Sequence, residues 1–248
     1  MKLGLLPHVA QVTDLKATDY YSPQSSLPDS FGATGLNWQM FGNDQYGDCY
    51  FASAAHEVMA EAHLAGRSPQ FATSSVLRSY AQYLGLPGAS ALNEANDQGT
   101  DARGGARFRR QIGVLDENGR GHKIGAYAFI EEPDYALLKS AVYDFGAVTV
   151  CVNLPRSAEE TFETGVWDYV SGSPILGGHA VAGTSVRDGE LVIVSWGQEV
   201  VMTEAFVDQY LQAVVVYVSG SALNGEGKTV NGLDRDALRA ALGQIAHG

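Results

Sequence analysis

The order of the helix-forming and strand-forming segments is the strongest constraint on how this chain can fold. Residues 51–62, Phe-Ala-Ser-Ala-Ala-His-Glu-Val-Met-Ala-Glu-Ala, contain no glycine or proline and are rich in strong helix formers. Gly66 closes that run. A second helix is predicted over 73–84, where Val76, Leu77, Tyr80 and Leu84 recur at helical spacing before Gly85 and Pro87. Strand-like runs come later, over 123–129, 147–154, 179–183, 191–196 and 213–218. A helix opened by Pro133, with Tyr135, Leu138, Ala141 and Val142 as its buried stripe, precedes the second of them. Arg187-Asp188-Gly189 suits a tight hairpin turn between two of these strands. Helices first and mostly antiparallel strands after predict an α+β fold, a helical lobe packed on an antiparallel sheet lobe. A cleft between such lobes is a natural place for a site.

The remaining segments fit around that plan. Residues 1–36, punctuated by Pro7, Pro23 and Pro28, read as an extended N-terminal arm with room for one short strand. Residues 37–219 form the main domain, and 220–248 a C-terminal tail with a short amphipathic helix at 233–245. Residues 86–122 are glycine-rich loop, with a short helix expected over 102–111. The net charge of −12 repels phosphate backbones and anionic lipid, so neither nucleic acid nor membrane is an expected partner. Arg103, Arg107, Arg109 and Arg110 lie near Asp97 and Asp101, which predicts a local ion-pair network. No apolar run approaches the ~18–20 residues of a membrane helix. The apolar stretch in residues 1–7 is too short for a signal peptide, so the chain is expected to remain where it is made.

There are two cysteines, Cys49 and Cys151, too few for a disulfide scaffold although one bridge between them stays possible. No Cys or His pair has a metal-ligand spacing, and no metal or other cofactor is expected. His56 and His63, seven apart on one helix, would stand ~10 Å apart along its axis. His56 is also beyond reach of Cys49 and reads as structural or surface, and His122 as solvated. Cys49 follows Gly47-Asp48 at the start of the first helix. Unpaired N–H groups and the dipole there stabilise a thiolate, the attacking species in thiol hydrolysis. The alternative is a small buried core residue. Asp48 either opposes ionisation of the thiol or caps the helix, and capping is favoured. His179 follows Gly177-Gly178, which would let another backbone or a substrate come close, and opens an apolar strand. It suits a general base; the alternative is a core histidine bound to a carbonyl.

Three segments carry a more specific likeness. Asn43-Asp44-Gln45-Tyr46-Gly47-Asp48-Cys49-Tyr50-Phe51 resembles the nucleophile motif of papain-like cysteine peptidases, Gly178-His179-Ala180-Val181 their histidine strand, and Val192-Ile193-Val194-Ser195-Trp196-Gly197 the strand ending in Asn-Ser-Trp-Gly. The order is the family's, and His179 lies 130 residues beyond Cys49, against ~130–150 between the papain-type Cys and His. The likeness covers about residues 37–219 and implies a papain-like fold for that domain. The chain also resembles, more loosely, a set of papain-like proteins from actinobacteria and their phages. By resemblance Trp196 roofs His179; it could equally be an ordinary core aromatic. Two departures stand out. Val194 occupies the place of the orienting Asn, leaving Ser195 or Gln198 as polar substitutes. The oxyanion-hole Gln of the family lies six residues before the nucleophile, where this chain has Asn43, whereas its own Gln45 is at four.

These features predict a thiol hydrolase acting on a peptide or amide bond. Cys49 is the nucleophile and His179 the base, Asn43 or Gln45 is the oxyanion donor, and Ser195 steadies the base. The competing expectation is a weak or inert papain-fold structural module, such as a virion or capsid-associated protein, assembling through the N-terminal arm. The expected location is accordingly cytoplasm or virion.

Overall fold

The computed structural model describes residues 1–19 and 23–219, so the helix expected over 233–245 lies outside the described residues. Helix α1 spans Cys49–Leu64 and α2 spans Thr73–Tyr83, as the two breaker-free runs predict. From Cys49 to Ala62 every residue of α1 except Met59 is buried. Alanines at 52, 54, 55, 60 and 62 let neighbours approach this central helix closely. Gly66, at φ +70°, ends it, and the Gly66 and Arg67 amides reach back to His63 and Ala62 carbonyls at 3.0 and 2.7 Å. Helix α3, Ala102–Gln111, is capped by Asp101, whose carboxylate accepts the Gly104 amide at 2.7 Å. Gly105 lies flat on Tyr50, where a Cβ would come within 2.4 Å of the ring.

The strands are β1 (Phe31–Gly32), β2 (Val114–Leu115), β3 (Gly121–His122), β4 (Ile124–Ile130), β5 (Val148–Pro155), β6 (Val166–Trp167), β7 (Ile175–Arg187), β8 (Glu190–Ser195), β9 (Gln198–Met202) and β10 (Leu211–Ser219). Interleaved are α4 (Tyr135–Phe145), α5 (Arg156–Glu160) and α6 (Glu204–Tyr210). Eight strands form one sheet in the order β4-β10-β5-β7-β8-β9-β6, with β1 added along β7. Its pairings are antiparallel apart from β6 with β9. The β7–β8 hairpin turns through Asp188 and Gly189, both at positive φ (51° and 81°), as Asp-Gly predicts. The short β2, β3, β6, β9, α5 and α6, two to seven residues long, carried too little sequence signal to be expected.

The α+β expectation holds, with one addition: helices cover both faces of the sheet. Along β5, Val148, Val150, Val152 and Leu154 pack towards α4 and α6, while Cys151 packs towards α1, α2 and α3. Val214, Val216 and Val218 of β10 join the first core; Ala213, Val215 and Tyr217 join the second. Burial of both faces explains why these strands read as unbroken apolar runs.

A buried polar joint fixes α1 on the sheet. Glu57 of α1 pairs with Arg109 of α3 at 2.5 Å and accepts the hydroxyl proton of Thr149 on β5. Arg109 lies over the ring of Tyr217, 4.1 Å from its centroid, and the Tyr217 and Tyr50 hydroxyls are 2.8 Å apart. The arginine cluster therefore does not pair with Asp97 and Asp101 as expected. Arg109 is turned inwards to Glu57, and Arg103 binds Asp14 in the arm. Asp97 holds the Gly47 amide and the Tyr80 hydroxyl instead.

Candidate active site

Cys49 is the first residue of α1, and His179 lies on β7 facing Val152 of β5. Both are buried, each about 1% exposed. Amides of Ala180, Gly4 and Tyr50 face the sulfur and favour its charged form. Burial outweighs them and, with the Asp48 carboxylate alongside, pushes the Cys49 thiol up to about 12. Cys49 and Cys151 are both free, so no bridge joins them.

Asp48 occupies the N-cap position, but its side chain makes no capping hydrogen bond. The capping expectation is thus corrected. The carboxylate is fully buried, and desolvation raises its pKa well above the ordinary value although the Asn43 amide opposes this. The N-cap backbone is at φ −93°, ψ 17°, not the extended conformation from which a cap side chain reaches back to the first turn.

His179 is held by its surroundings. Its Nε2 lies 2.9 Å from Ser195 Oγ, and its ring stacks on Trp196 with centroids 4.5 Å apart and planes 23° apart. Trp167, which the sequence did not single out, closes a second side at 6.3 Å. Trp196 takes φ +45°, between β8 and the positive-φ Gly197, and that turn folds the indole back over the imidazole. Nδ1 of His179 has no hydrogen-bond partner among the described residues. Burial lowers the His179 pKa to about 3, so the ring is neutral.

The structure separates the other candidates. Asn43 is buried at the cleft, where Nδ2 donates to the carbonyls of Tyr46 (3.0 Å) and Lys2 (3.3 Å). Gln45 is exposed, its amide 3.4 Å from Asp44, and does not enter the site. The reason is a tight turn at positive-φ Gly42, whose carbonyl accepts the amides of both Gln45 and Tyr46. Val194 and Ser195 point to opposite faces of β8, as neighbours on a strand must. Val194 packs with Ala33, Trp38 and Ala182, away from His179, and Ser195 is the residue whose side chain reaches the imidazole. Gln198 is exposed.

His56 is structural: Nε2 meets the Gln39 carbonyl at 2.8 Å, and burial lowers its pKa to about 4. His122 is not free in solvent but lies 3.0 Å from the Asp116 carboxylate, against Phe71. Among the described residues, His8, Asp14 and Glu131 bring ligand atoms within 4.8 Å, close enough for a metal ion. Arg103 already engages both Asp14 oxygens, and His8 Nε2 is 3.1 Å from Glu131, so this group clamps the arm. No helix among the described residues is long and apolar enough to cross a membrane.

The arm itself enters the site. Leu5 pairs with Gly178 on one side and Thr100 on the other, so residues 2–6 run as an extended strand through the cleft. Gly177-Gly178 does permit close approach of a backbone, and in this structure the backbone is the chain's own.

No family model and no curated protein matches this sequence. Solved structures do match its fold. Xylellain, a cysteine protease from Xylella fastidiosa, superposes with a TM-score of 0.66 at 17% identity, over 87% of this chain and 95% of that one. Digestive procathepsin L 3 of Tenebrio molitor larval midgut gives 0.53 at 14%, over 84% and 76%. A cysteine protease of Carica candamarcensis gives 0.51 at 14%, over 77% and 99%. The chain therefore has the papain-like cysteine-peptidase fold.

Proposed function

We propose that this protein is a thiol hydrolase of peptide or amide bonds in which Cys49 is the nucleophile and His179 the base. The observation that carries this reading is the setting of His179. Ser195 and Trp196 fix its ring, Nδ1 is left unpartnered among the described residues, and the amide of the next residue, Ala180, faces the sulfur of Cys49. A proton on Nε2, directed at Ser195 Oγ, leaves the Nδ1 lone pair free to accept the thiol proton. The sulfur then attacks the carbonyl carbon. The oxygen that becomes negative is met by the Asn43 amide and the Cys49 backbone N–H at the helix start. Collapse breaks the C–N bond, and the imidazolium gives its proton to the departing amine. Water, deprotonated by the same imidazole, hydrolyses the thioester and restores the thiol.

Peptides and proteins are the substrate class that the fold supports. The experiment is turnover of a fluorogenic peptide library by the wild type and Cys49→Ala, with an electrophilic thiol inhibitor as a titrant. Turnover lost in Cys49→Ala and blocked at one inhibitor per chain supports the reading. Silence throughout, even with the thiol accessible, favours an inert structural module instead. Such a module is the second reading, and the carboxylate of Asp48 buried beside an uncharged thiol is what favours it.

A further inference from the structure

Away from the cleft, the second half of α1 borders a cavity of about 130 Å³. Its other walls are the segment 36–39 and the loop 67–71 that joins α1 to α2. Met59 lines it, which accounts for the one residue of α1 between Cys49 and Ala62 that is not buried. Met59 follows Cys49 by ten residues, ~15 Å along the helix, so the cavity is separate from the cleft.

The walls are fixed before anything enters. The Gln39 carbonyl lies 2.8 Å from His56 Nε2, and a Cβ on Gly197 would come within 3.1 Å of the Gln39 and Met40 backbone. Trp38 Nε1 donates to the Glu199 carboxylate at 3.0 Å. In the opposite wall the Gln70 carbonyl accepts the Glu117 amide at 3.0 Å, and Phe71 packs on Phe41. A preformed hollow spends little ordering entropy on a ligand.

The lining divides by chemistry. Leu36, Met59 and Phe71 give it an apolar side, and His63 and Arg67 stand at the end of α1. None of the described residues that line it carries a carboxylate, in a chain of net charge −12. Cations at a helix C-terminus offset its dipole, and on a plain surface that would explain the pair. Here the pair stands over an apolar hollow. The carbonyls that would repel an anion at this helix end are already engaged. Those of Glu61, Ala62 and His63 accept the amides of Ala65, Arg67 and Gly66 at 3.1, 2.7 and 3.0 Å. The Glu61 carboxyl is raised by burial to about 8, against the pull of Ser219, Arg109 and Arg67, so it is mostly uncharged at neutral pH.

We infer that this cavity binds a short apolar carboxylate, its tail between Leu36, Met59 and Phe71 and its head group at Arg67 and His63. An engineered apolar cavity of ~150 Å³ holds benzene, so a space of about 130 Å³ takes a tail of about four to six carbon atoms. The inference goes beyond the hydrolase reading and does not depend on it.

The test is a titration of the full chain, labelled with ¹³C at its methionine methyls, with 4-methylpentanoate at neutral pH. Met59→Leu assigns the Met59 resonance, and Met202, fully buried on β9, is the internal control. The Met59 methyl should shift in a saturable way with a midpoint at ~1 mM, as for a ligand this small, while Met202 stays still. The neutral 4-methylpentanamide and the tail-less acetate should each bind at least tenfold more weakly. Arg67→Gln should weaken the acid at least tenfold and leave the amide unchanged, and Arg67→Lys should lose less. Met59→Trp, which fills the hollow, should abolish the heat of binding in calorimetry with an unchanged unfolding midpoint. N-acetyl-leucine separates the two sources of such a group: tighter binding than 4-methylpentanoate assigns the site to peptide C-termini, weaker binding to free acids, and either supports the site. No saturable shift at twenty times the expected midpoint, equal binding of acid and amide, an unaltered response in Arg67→Gln, or an equal shift of Met202 overturns the inference.

Discussion

Nε2 of His179 sits 2.9 Å from the hydroxyl oxygen of Ser195, sixteen residues further along the chain. That contact ties one nitrogen of the ring to β8 and leaves the other without a partner among the described residues, so under the proposed hydrolase reading the hydroxyl selects which nitrogen serves as base. Ser195→Ala should reduce kcat at least tenfold with KM little changed, and Ser195→Thr should recover part of the loss. Loss of the orienting aspartate in a related constellation costs ~10⁴-fold, which sets the upper limit. Val194→Asn should give no gain, because that side chain faces Trp38 and Ala182 on the other side of the strand. An increase in turnover in Val194→Asn would contradict the assignment of Ser195.

Asp48 should be a liability at neutral pH. Its folded pKa is raised by burial, so its contribution to stability is complete below the unfolded value of ~3.9 and is lost as pH rises. Asp48→Asn should raise the urea midpoint at pH 7, with the difference closing towards pH 4. It should also lower the Cys49 pKa, visible as faster alkylation. An unchanged midpoint at pH 7 would mean that the carboxylate is not desolvated.

The two buried histidines act in the opposite direction. His56 and His179 have folded pKa values lowered to about 4 and about 3. Their contribution is complete above the unfolded value of ~6.5 and is lost as pH falls through that window. Each adds a slope of up to ~1.4 kcal/mol per pH unit where only the unfolded chain is protonated. Denaturation midpoints measured from pH 7 to pH 4 should fall steadily, and more steeply in Asp48→Asn, where the opposing carboxylate is gone. A flat profile would place both imidazoles in contact with water.

Glu57→Ala should be among the most damaging substitutions far from the cleft. It leaves Arg109, fully buried, without its counter-charge, and removes the acceptor of Thr149. Breaking a buried pair on one side costs ~3–5 kcal/mol. Replacing both residues together, Glu57→Leu with Arg109→Met, should cost much less. Equal losses in the single and double variants, followed by urea denaturation, would show that packing rather than charge dominates the joint.

Much of the framework could be read from local chemistry. The glycine- and proline-free run fixes α1, and Gly66 fixes its end, because helix propensity and its termination are short-range properties. The β-branched runs fix β5, β8 and β10, and Asp188-Gly189 fixes the hairpin, for the same reason. Cys49 at the helix start and His179 after two glycines could likewise be singled out from the sequence. What the sequence could not decide was direction and company. Whether Val194 or Ser195 reaches His179 depends on which face of β8 meets the imidazole, and a slip of one residue reverses the answer. Whether Asn43 or Gln45 points into the cleft depends on a turn at Gly42. Arg109 could be placed near Asp97 and Asp101 in sequence, yet its partner Glu57 is 52 residues away and becomes a neighbour only when α3 packs on α1. The strand at residues 2–6 carries no local signal for its role. Its glycine acquires meaning only against Gly47, Gly99 and Gly178, three backbone positions that the tertiary fold gathers around residues 4 and 5.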